Sequence, residues 1–394
     1  MIVDLIGIGM DGGSTLTAAA AQAIRDAELL IGARRMLDTV PDDGRERFYA
    51  YDSIKIAEHL ATCKASHAAI LLSGDVGFFS GAKSLTKALL HHEIRLIPGI
   101  SSVAYFCAKT AISWDNLHFV SLHGTQESVA VHVRSHARTF FLLGGEMNAA
   151  AVCQRLTDYH LENVQVFIGS RLGYPDEQII TGIAQDLTNC ETDPLSVMIV
   201  ENPNWCPYLP TCIPDDQFQR GNVPMTKSQV RGMTVSSLNI AKNSVCWDIG
   251  CGTGSVSVEM ALRCPDGRVW SLDKSEEAVL LSAENARRFS CDNIRILQGS
   301  APDALEEFPT PDAVFIGGSS RELDAIFNVI LRKNPNARIA INAVTLETLR
   351  FAQDAFSIRK MNCSITQIAV TDIQSVSGYS MLRAQNPVFL IQGV

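Results

Sequence analysis

The stretch DIGCGTGSVSVEMA, residues 248–261, constrains the fold of this chain more than any other part of its sequence. An apolar run of strand character, SVCWDIG, leads into it, and an amphipathic helical pattern follows directly. Gly250, Gly252 and Gly254 carry no side chain, so the backbone can bend sharply there and approach a ligand closely. Asp273 follows at the end of the next predicted strand, where a carboxylate can accept both ribose hydroxyls of a nucleoside. This order of strand, turn, helix, strand and acid predicts an α/β domain that binds a nucleoside-containing ligand.

A second glycine pattern, G-x-G-x-x-G at Gly7, Gly9 and Gly12, follows the first apolar run of the chain. A dinucleotide-binding turn of that type needs an acidic residue about 20 positions on, at the end of the next strand. Position 32 is Gly32, so this pattern has no ribose acid. The pattern therefore favours another kind of turn, and a nucleotide-dependent oxidoreductase stays open as an alternative function.

Apolar runs of strand character alternate with helical patterns in both halves of the chain, which is typical of α/β folds. Between the halves lies a proline-rich, poorly periodic stretch, and proline removes backbone donors from regular elements. We therefore predict an N-terminal domain at 1–202, with lobes at about 1–112 and 113–202, a linker at 203–224, and a C-terminal domain at 225–394. The β-rich end of the chain predicts a final antiparallel pair of strands on a largely parallel sheet.

Composition argues against several classes of protein. The formal net charge of −9 disfavours a nucleic acid partner, which requires a surplus of Lys and Arg. No apolar stretch approaches the ~18 residues of a membrane span, and the first residues lack the basic region of a secretory signal, so we expect a cytoplasmic protein without a membrane partner. Eleven cysteines without a C-x-x-C pair predict buried thiols in a reducing compartment and no metal site.

The turn that begins at Asp248 resembles motif I of the class I S-adenosylmethionine (SAM) methyltransferases, D-x-G-x-G-x-G. The resemblance implies a Rossmann-like fold and a SAM site, with adenine framed by the segment after the third strand. After the fourth strand the chain has IGGSS instead of [DNS]-P-P-[YFW], so an amino nitrogen of a nucleic acid is not the expected target. Thr226 has two expected roles, a SAM contact by the resemblance and a helix N-cap by its position. The residues expected to contact SAM here are Thr226, Gly250, Cys251, Gly252, Thr253, Gly254, Asp273, Ser300 and Ala301.

The N-terminal half resembles the class III tetrapyrrole methylases, whose pattern is G-x-G-x-G, then S/G-G-D-P, then P-G-x-[ST]-[SA]. This chain has GIG, SGDVGFFSG and IPGISS in that order. The resemblance implies a two-lobed fold that binds SAM between the lobes. Met10 and Val76 replace the usual prolines, which leaves open a SAM-binding protein whose first domain is inactive. The residues implied to contact SAM are Gly7, Gly9, Ser73, Gly74, Asp75, Phe78, Ser101 and Ser102.

With its two halves in this order, the chain resembles the family of bifunctional precorrin-6Y C5,15-methyltransferases (decarboxylating) of cobalamin (vitamin B12) biosynthesis. The resemblance implies methylation of the precorrin-6 macrocycle at C5 by the first domain. It assigns methylation at C15 and decarboxylation of the ring C acetate to the second. It further implies two SAM sites per chain and a homo-oligomer. Because the sulfonium of SAM is already an activated methyl donor, we expect no protein nucleophile or metal, and we assign no catalytic residue.

The macrocycle carries many carboxylates, so each site is expected to present cations. Lys227 and Arg231 lie one helical turn apart, and Arg321 follows IGGSS at the expected mouth of the sheet. We predict these three residues as substrate-binding residues of the second domain. Further candidates in the first domain are Arg34, Arg35 and Arg171.

Overall fold

The computed structural model describes residues 1–11, 13–124, 128–206, 212–318 and 322–393. The chain forms two compact units, and each unit is assembled from three segments. The first unit comprises Met1–Gln126, Arg138–Cys153 and Val164–Glu201, and the second comprises Glu127–Ala137, Gln154–Asn163 and Asn202–Val394. No helix in the described ranges is long and apolar enough to cross a membrane.

The first lobe of the first unit is built on a parallel sheet. Its strands are β1 (Ile2–Gly7), β2 (Leu29–Gly32), β3 (Glu46–Tyr49), β4 (His67–Leu72) and β5 (Glu93–Ile97). Their order is β3-β2-β4-β1-β5, so the carboxyl ends of β4, β1 and β5 lie side by side. Its helices are α1 (Ala18–Asp26), α2 (Arg34–Leu37), α3 (Ser53–Thr62), α4 (Ala82–Ala88) and α5 (Ser102–Thr110). The side chains of Thr17, Asp52 and Ser101 accept backbone N–H groups at the starts of α1, α3 and α5, which explains where these helices begin.

The second lobe of the first unit contains a mixed sheet. Its strands are β6 (His118–Ser121), β7 (Arg138–Leu142), β8 (Gln165–Ser170), β9 (Gln178–Ile183) and β10 (Ser196–Glu201), in the order β6-β7-β10-β8-β9. Only the pair β6–β7 is parallel, and the other three pairs are antiparallel. Two helices follow β6 and β7 in the chain, α6 (Ala130–Ser135) and α7 (Ala149–Asp158).

The second unit contains a seven-stranded sheet. Its strands are β11 (Val245–Ile249), β12 (Arg268–Asp273), β13 (Ile294–Gln298), β14 (Ala313–Gly317), β15 (Arg338–Ala343), β16 (Cys363–Ile368) and β19 (Val388–Gly393). Their order is β13-β12-β11-β14-β15-β19-β16, with β19 antiparallel to both neighbours. The predicted antiparallel end of a largely parallel sheet is therefore confirmed. The helices are α8 (Ser228–Ser237), α9 (Ser255–Arg263), α10 (Glu276–Arg288), α11 (Leu323–Lys333) and α12 (Leu346–Ile358).

The second unit has two further elements besides this sheet and its helices. A separate hairpin, β17 (Thr371–Val376) with β18 (Tyr379–Ala384), is inserted between β16 and β19. Residues 212–224, part of the predicted linker, pack within the unit: Ile213 and Phe218 are buried. The Ile213 N–H donates to Glu259 of α9 at 3.0 Å. Because of these contacts, the segment can form part of a binding site.

Candidate functional site

The glycine turn of the second unit joins β11 to α9. Gly250, Gly252 and Gly254 have φ values of 81°, 54° and 73°, a region that favours glycine. A Cβ added to Gly250 would overlap the carbonyl oxygen of Gly317, and one added to Gly252 would lie 2.8 Å from that of Pro224. Helix α9 begins directly after Gly254, so its N-terminal partial positive charge faces the turn. The turn therefore excludes side chains both by backbone conformation and by lack of space.

Asp273 ends β12 beside this turn. Its Oδ2 accepts the Gly252 N–H at 2.9 Å, and its Oδ1 accepts the Ser275 N–H at 3.0 Å. The structure thus brings together the predicted acid and the predicted glycine turn. The carboxylate fixes the backbone of the turn and is itself held at the end of the strand.

Asp248 lies fully buried beneath the same turn. Burial raises the pKa of its carboxyl group, hydrogen bonds from Ser257 oppose the shift, and the charge of Asp273 adds to it, so that the pKa is about 7. Its Oδ2 accepts the Ser257 hydroxyl, whereas Oδ1 has no hydrogen-bond partner within the described part of the chain. Burial also raises the pKa of the Cys251 thiol, so this residue is not poised as a nucleophile.

A cavity of about 800 Å³ opens at the glycine turn, and we call it the C-terminal cavity. It is lined by residues 250–253, by the segment before α8, by the ends of β14 and β15, and by the base of the β17–β18 hairpin. Its charged lining residues are Asp215, Arg220, Lys227, Asp372 and Arg383. Of the predicted residues, Thr226, Lys227, Gly250, Cys251, Gly252 and Thr253 line it.

The other predictions for this site have different outcomes. Gly254, Asp273, Ser300 and Ala301 are not among the lining residues of the cavity. Ser300 is exposed, and its carbonyl oxygen accepts the Ala304 N–H at 3.1 Å. Arg321 lies outside the described residues.

Two expectations about the start of α8 are wrong. Thr226 is not the N-cap of α8, because the helix begins at Ser228 with Lys227 in the cap position. Arg231 does not face a substrate, because its side chain is 0% exposed and pairs with the equally buried Glu259 at 2.7 Å. The spacing of Lys227 and Arg231 predicted a shared face, but of these two residues only Lys227 lines the cavity.

The glycine turn of the first unit packs against two other loops. A Cβ added to Gly7 would lie 2.6 Å from the carbonyl oxygen of Gly74 and 2.7 Å from the nitrogen of Gly99. Gly9 and Gly74 exchange two backbone hydrogen bonds, at 3.1 and 2.8 Å. Asp75 accepts the Gly99 N–H at 3.0 Å. The three predicted loops therefore form one backbone-to-backbone cluster at the carboxyl ends of β1, β4 and β5.

A cavity of about 290 Å³ lies beside this cluster, and we call it the N-terminal cavity. The predicted residues Ser73, Gly74, Asp75, Phe78 and Ser102 line it. Gly7, Gly9 and Ser101 are not lining residues, because the two glycines pack between loops and Ser101 caps α5.

The second lobe supplies much of the wall of the N-terminal cavity. Arg35 donates to the Tyr174 hydroxyl at 2.8 Å, and the Arg171 guanidinium lies 4.8 Å from the centre of the same ring. His123 and Met10 also line the cavity. The sequence did not predict that His123 and Tyr174 line a cavity with the loops of the first lobe, because these residues are far apart in the chain.

Two family models match the chain, one in each half. The model described as Precorrin methyltransferase domain matches residues 216–393. The model described as Tetrapyrrole (Corrin/Porphyrin) Methylases matches residues 3–188. Each match contains one of the two glycine turns, so the resemblance and the fold class predicted for each half are confirmed.

Two individual relatives and one solved structure are similar to this chain. A probable cobalt-precorrin-6B C(15)-methyltransferase (decarboxylating) of Pyrobaculum calidifontis is 40% identical over 188 residues, 47% of this chain and 96% of the relative. A precorrin-6Y C(5,15)-methyltransferase [decarboxylating] of a Sinorhizobium species is 26% identical over 390 residues, 98% of this chain and 94% of the relative. A crystal structure of precorrin-6y C5,15-methyltransferase from Geobacter metallireducens is 32% identical, with a TM-score of 0.44, and covers 46% of this chain and 96% of that chain.

Proposed function

Because this chain belongs to the precorrin methyltransferase family, we propose that it methylates a precorrin-6 macrocycle at C5 and C15 and decarboxylates its ring C acetate in cobalamin biosynthesis. One observation carries the proposal: two different glycine turns stand in one chain, each beside its own cavity, and the relative named for both methylations matches 98% of that chain. The domain limits 1–202, 203–224 and 225–394 and a cytoplasmic location remain predictions.

The C-terminal cavity has the features that a SAM site requires. Its volume of about 800 Å³ lies within the range of small-molecule sites, roughly 300–1,000 Å³. Gly252 leaves the wall without a side chain, and Asp273, beside the turn and outside the cavity lining, holds the Gly252 N–H and so fixes the backbone that a nucleoside would approach. Thr226 and Thr253 also line the cavity. SAM supplies an activated methyl group when bound, and the protein's task is then to hold the donor and the acceptor carbon in line.

We assign C15 methylation and decarboxylation to the C-terminal cavity and C5 methylation to the N-terminal cavity. This division rests on the resemblance of each half and on the extent of two matches: the relative named for the C15 reaction alone matches 47% of this chain, whereas the relative named for both positions matches 98% of it. Arg220, Lys227 and Arg383 would bind substrate carboxylates in the C-terminal cavity, because all three line it. Arg35 and Arg171 have the same proposed role in the N-terminal cavity.

We also propose a second SAM site, in the N-terminal cavity, with Ser73, Gly74, Asp75 and Ser102 as its polar contacts. A SAM-binding protein with an inactive first domain is not favoured, because Met10 replaces the usual proline without disrupting the loop cluster. Thr15 supports Met10 instead: the Met10 N–H donates to Thr15 Oγ1 at 2.8 Å, and the Thr15 hydroxyl donates to Asp11 Oδ1 at 2.7 Å.

The oxidoreductase alternative loses its remaining support in the geometry of the first turn. Helix α1 begins at Ala18, with Thr17 as its N-cap, so the helix does not open on the glycines. A dinucleotide turn needs that helix N-terminus for the pyrophosphate. Gly32, where the acid would stand, ends β2 without a side chain.

Self-association is a further part of the proposal. The β17–β18 hairpin exposes apolar side chains, including Ile373 at 70%, Tyr379 at 76% and Leu382 at 74%. Contiguous exposed apolar residues mark interaction surfaces. Sedimentation of the full chain should therefore give a mass above that of one chain.

The decisive experiment combines calorimetry with mass spectrometry. Titration of the full chain with SAM should give two binding events, and reaction with the reduced precorrin-6 substrate should add two methyl groups and remove one CO₂. A single SAM site, or a product with one methyl group, would restrict the function to one domain. Tight NAD binding without SAM binding would overturn the proposal.

A further inference from the structure

The buried guanidinium of Arg231 joins four acceptors. Its Nε donates to Glu259 Oε1 at 2.7 Å. Its Nη1 donates to the carbonyl oxygen of Thr226 at 2.6 Å and to Asp215 Oδ1 at 3.3 Å. Its Nη2 donates to the carbonyl oxygen of Ile213. A planar guanidinium with five N–H donors can serve all four acceptors at once, whereas a lysine ammonium cannot.

Three of the four acceptors belong to one irregular segment, residues 213–227, whose regular structure is a single 3₁₀ turn at Asp215–Gln217. Such a segment makes few backbone hydrogen bonds of its own, so its position depends on anchoring contacts. The hydrogen bonds of Arg231 reach Ile213 at the start of the segment and Thr226 near its end. The segment supplies six lining residues of the C-terminal cavity, namely Asp215, Arg220, Pro224, Met225, Thr226 and Lys227.

The fourth acceptor connects the segment to the glycine turn. Glu259 lies on α9, the helix that begins at the turn, and it also accepts the Ile213 N–H at 3.0 Å. At the far end of the segment, the Pro224 carbonyl oxygen would lie 2.8 Å from a Cβ on Gly252. A shift of the segment therefore changes the cavity wall directly beside the turn.

A gain in the stability of the fold does not explain why the ion pair of Arg231 and Glu259 is buried. Removing Arg231 and Glu259 from water costs free energy that apolar side chains would not, and such pairs can often be replaced without loss of stability. The guanidinium also lies 4.7 Å from the centre of the Phe218 ring, which fixes its plane. The arrangement is suited to holding a fixed geometry.

We propose that Arg231 is a positioning residue: it holds segment 213–227 against α9 and so sets the affinity of the C-terminal cavity for SAM, without contacting the ligand. The inference rests on the SAM site proposed for this cavity. It replaces the sequence-based expectation that Arg231 binds substrate.

The test is Arg231→Lys in the full chain, with Arg359→Lys as a matched control. Arg359 also makes four hydrogen bonds, to Asp324, Asn328 and Ala355, and its guanidinium also faces a phenylalanine ring, but it joins α11 to α12 away from the cavity. Product-resolved initial rates separate C5 from C15 methylation. Arg231→Lys should raise the KM for SAM in the C15 reaction roughly tenfold, since it loses charge-assisted hydrogen bonds. The kcat of that reaction and the KM for SAM of the C5 reaction should stay near wild type.

Several outcomes would overturn the proposal. One is an unchanged KM for SAM in a folded Arg231→Lys protein. Another is an equal rise in KM for Arg359→Lys, because the effect would then follow general destabilisation. If Arg231→Lys does not fold, Glu259→Gln takes its place, since it retains an oxygen acceptor for Arg231 and should give a smaller rise in the same KM. A wild-type chain that binds SAM only in the N-terminal cavity would remove the proposed C-terminal SAM site itself, which distinguishes that failure from the failure of Arg231 as an anchor.

Discussion

In the turn at Gly250–Gly254 all three glycines have positive φ, whereas in the turn at Gly7–Gly9 only Gly9 does. Gly7 is required because three loop backbones meet there, which is a matter of space alone. The later turn also leads at once into α9, while the earlier one leads into a loop before α1. Two similar glycine patterns thus satisfy different physical demands, and spacing alone does not tell them apart.

The acidic residues beside the two turns also differ, in their hydrogen bonds and in their burial. In the first turn, Asp11 accepts hydrogen bonds from the backbone and side chains of Ser14 and Thr15 and builds the loop. In the second turn, Asp248 is buried with Ser257 as its hydrogen-bond donor. Each turn therefore relies on an acidic side chain: Asp11 is an ionised acceptor, whereas the raised pKa of Asp248 keeps its carboxyl group largely protonated below about pH 7.

The largest effect is expected from Gly250→Ala. The new Cβ would overlap the Gly317 carbonyl oxygen at a φ of 81°, so we expect a loss of about 3 kcal/mol in the free energy of unfolding. SAM binding in the C-terminal cavity and C15 methylation should be abolished, while C5 methylation persists. The control is Gly44→Ala, which has a φ of 79° with nothing within 4 Å and should cost only about 1 kcal/mol. Retention of C15 methylation by folded Gly250→Ala would contradict the role given to this turn.

Gly99→Ala tests the first turn, with a somewhat smaller expected cost. Its φ is not positive, but the Cβ would overlap the Gly74 carbonyl oxygen and lie 2.5 Å from that of Gly7. Separating the three loops should cost about 2 kcal/mol and abolish C5 methylation while C15 methylation continues. Gly81→Ala is the matched control in the same lobe, because its Cβ meets nothing nearer than 3.9 Å. Equal losses at C5 and C15 would show that the two cavities are not independent.

Much of the fold could be predicted because its signals are local. Apolar runs mark the strands, and the turn at Gly250 lies between its strand and its helix as the sequence indicates. The β17–β18 hairpin also had a local signal that was missed: Ser377 and Gly378, both with positive φ, separate two short strands. The burial of Arg231 had no such signal, because it depends on Glu259 and on a segment whose fold is set by tertiary contacts.

Asp273→Asn should have a smaller effect than either glycine substitution, because it retains the shape of the side chain. The carboxylate holds the Gly252 and Ser275 N–H groups, and an amide has only one oxygen to replace two. We expect roughly tenfold weaker SAM binding in the C-terminal cavity, corresponding to ~1–2 kcal/mol. Asp312→Asn is a suitable control, since Asp312 accepts the Val245 N–H at 2.8 Å at the opposite end of β11. Equal SAM affinity in Asp273→Asn and wild type would mean that this acid does not serve the nucleoside.

The smallest expected effect is the pH dependence of stability at each of the two turns. Burial raises the pKa of Asp248 to about 7, so its turn is most stable below the ordinary carboxyl pKa and loses stability as pH rises through about 7. Burial also raises the pKa of Asp11, but hydrogen bonds from Thr15 and Ser14 lower it by more, so the first turn loses stability only as pH falls below the ordinary value.

The two turns should therefore respond to pH in opposite directions. Amide hydrogen exchange of the peptides that carry each turn, compared with a variant at each pH, isolates the two responses. Wild type should lose protection at the second turn relative to Asp248→Asn between pH 5 and pH 8. At the first turn, wild type should exceed Asp11→Asn in protection at neutral pH and approach it in strong acid. Parallel pH responses at both turns would show that their carboxylates do not differ in the way the hydrogen bonds and burial indicate.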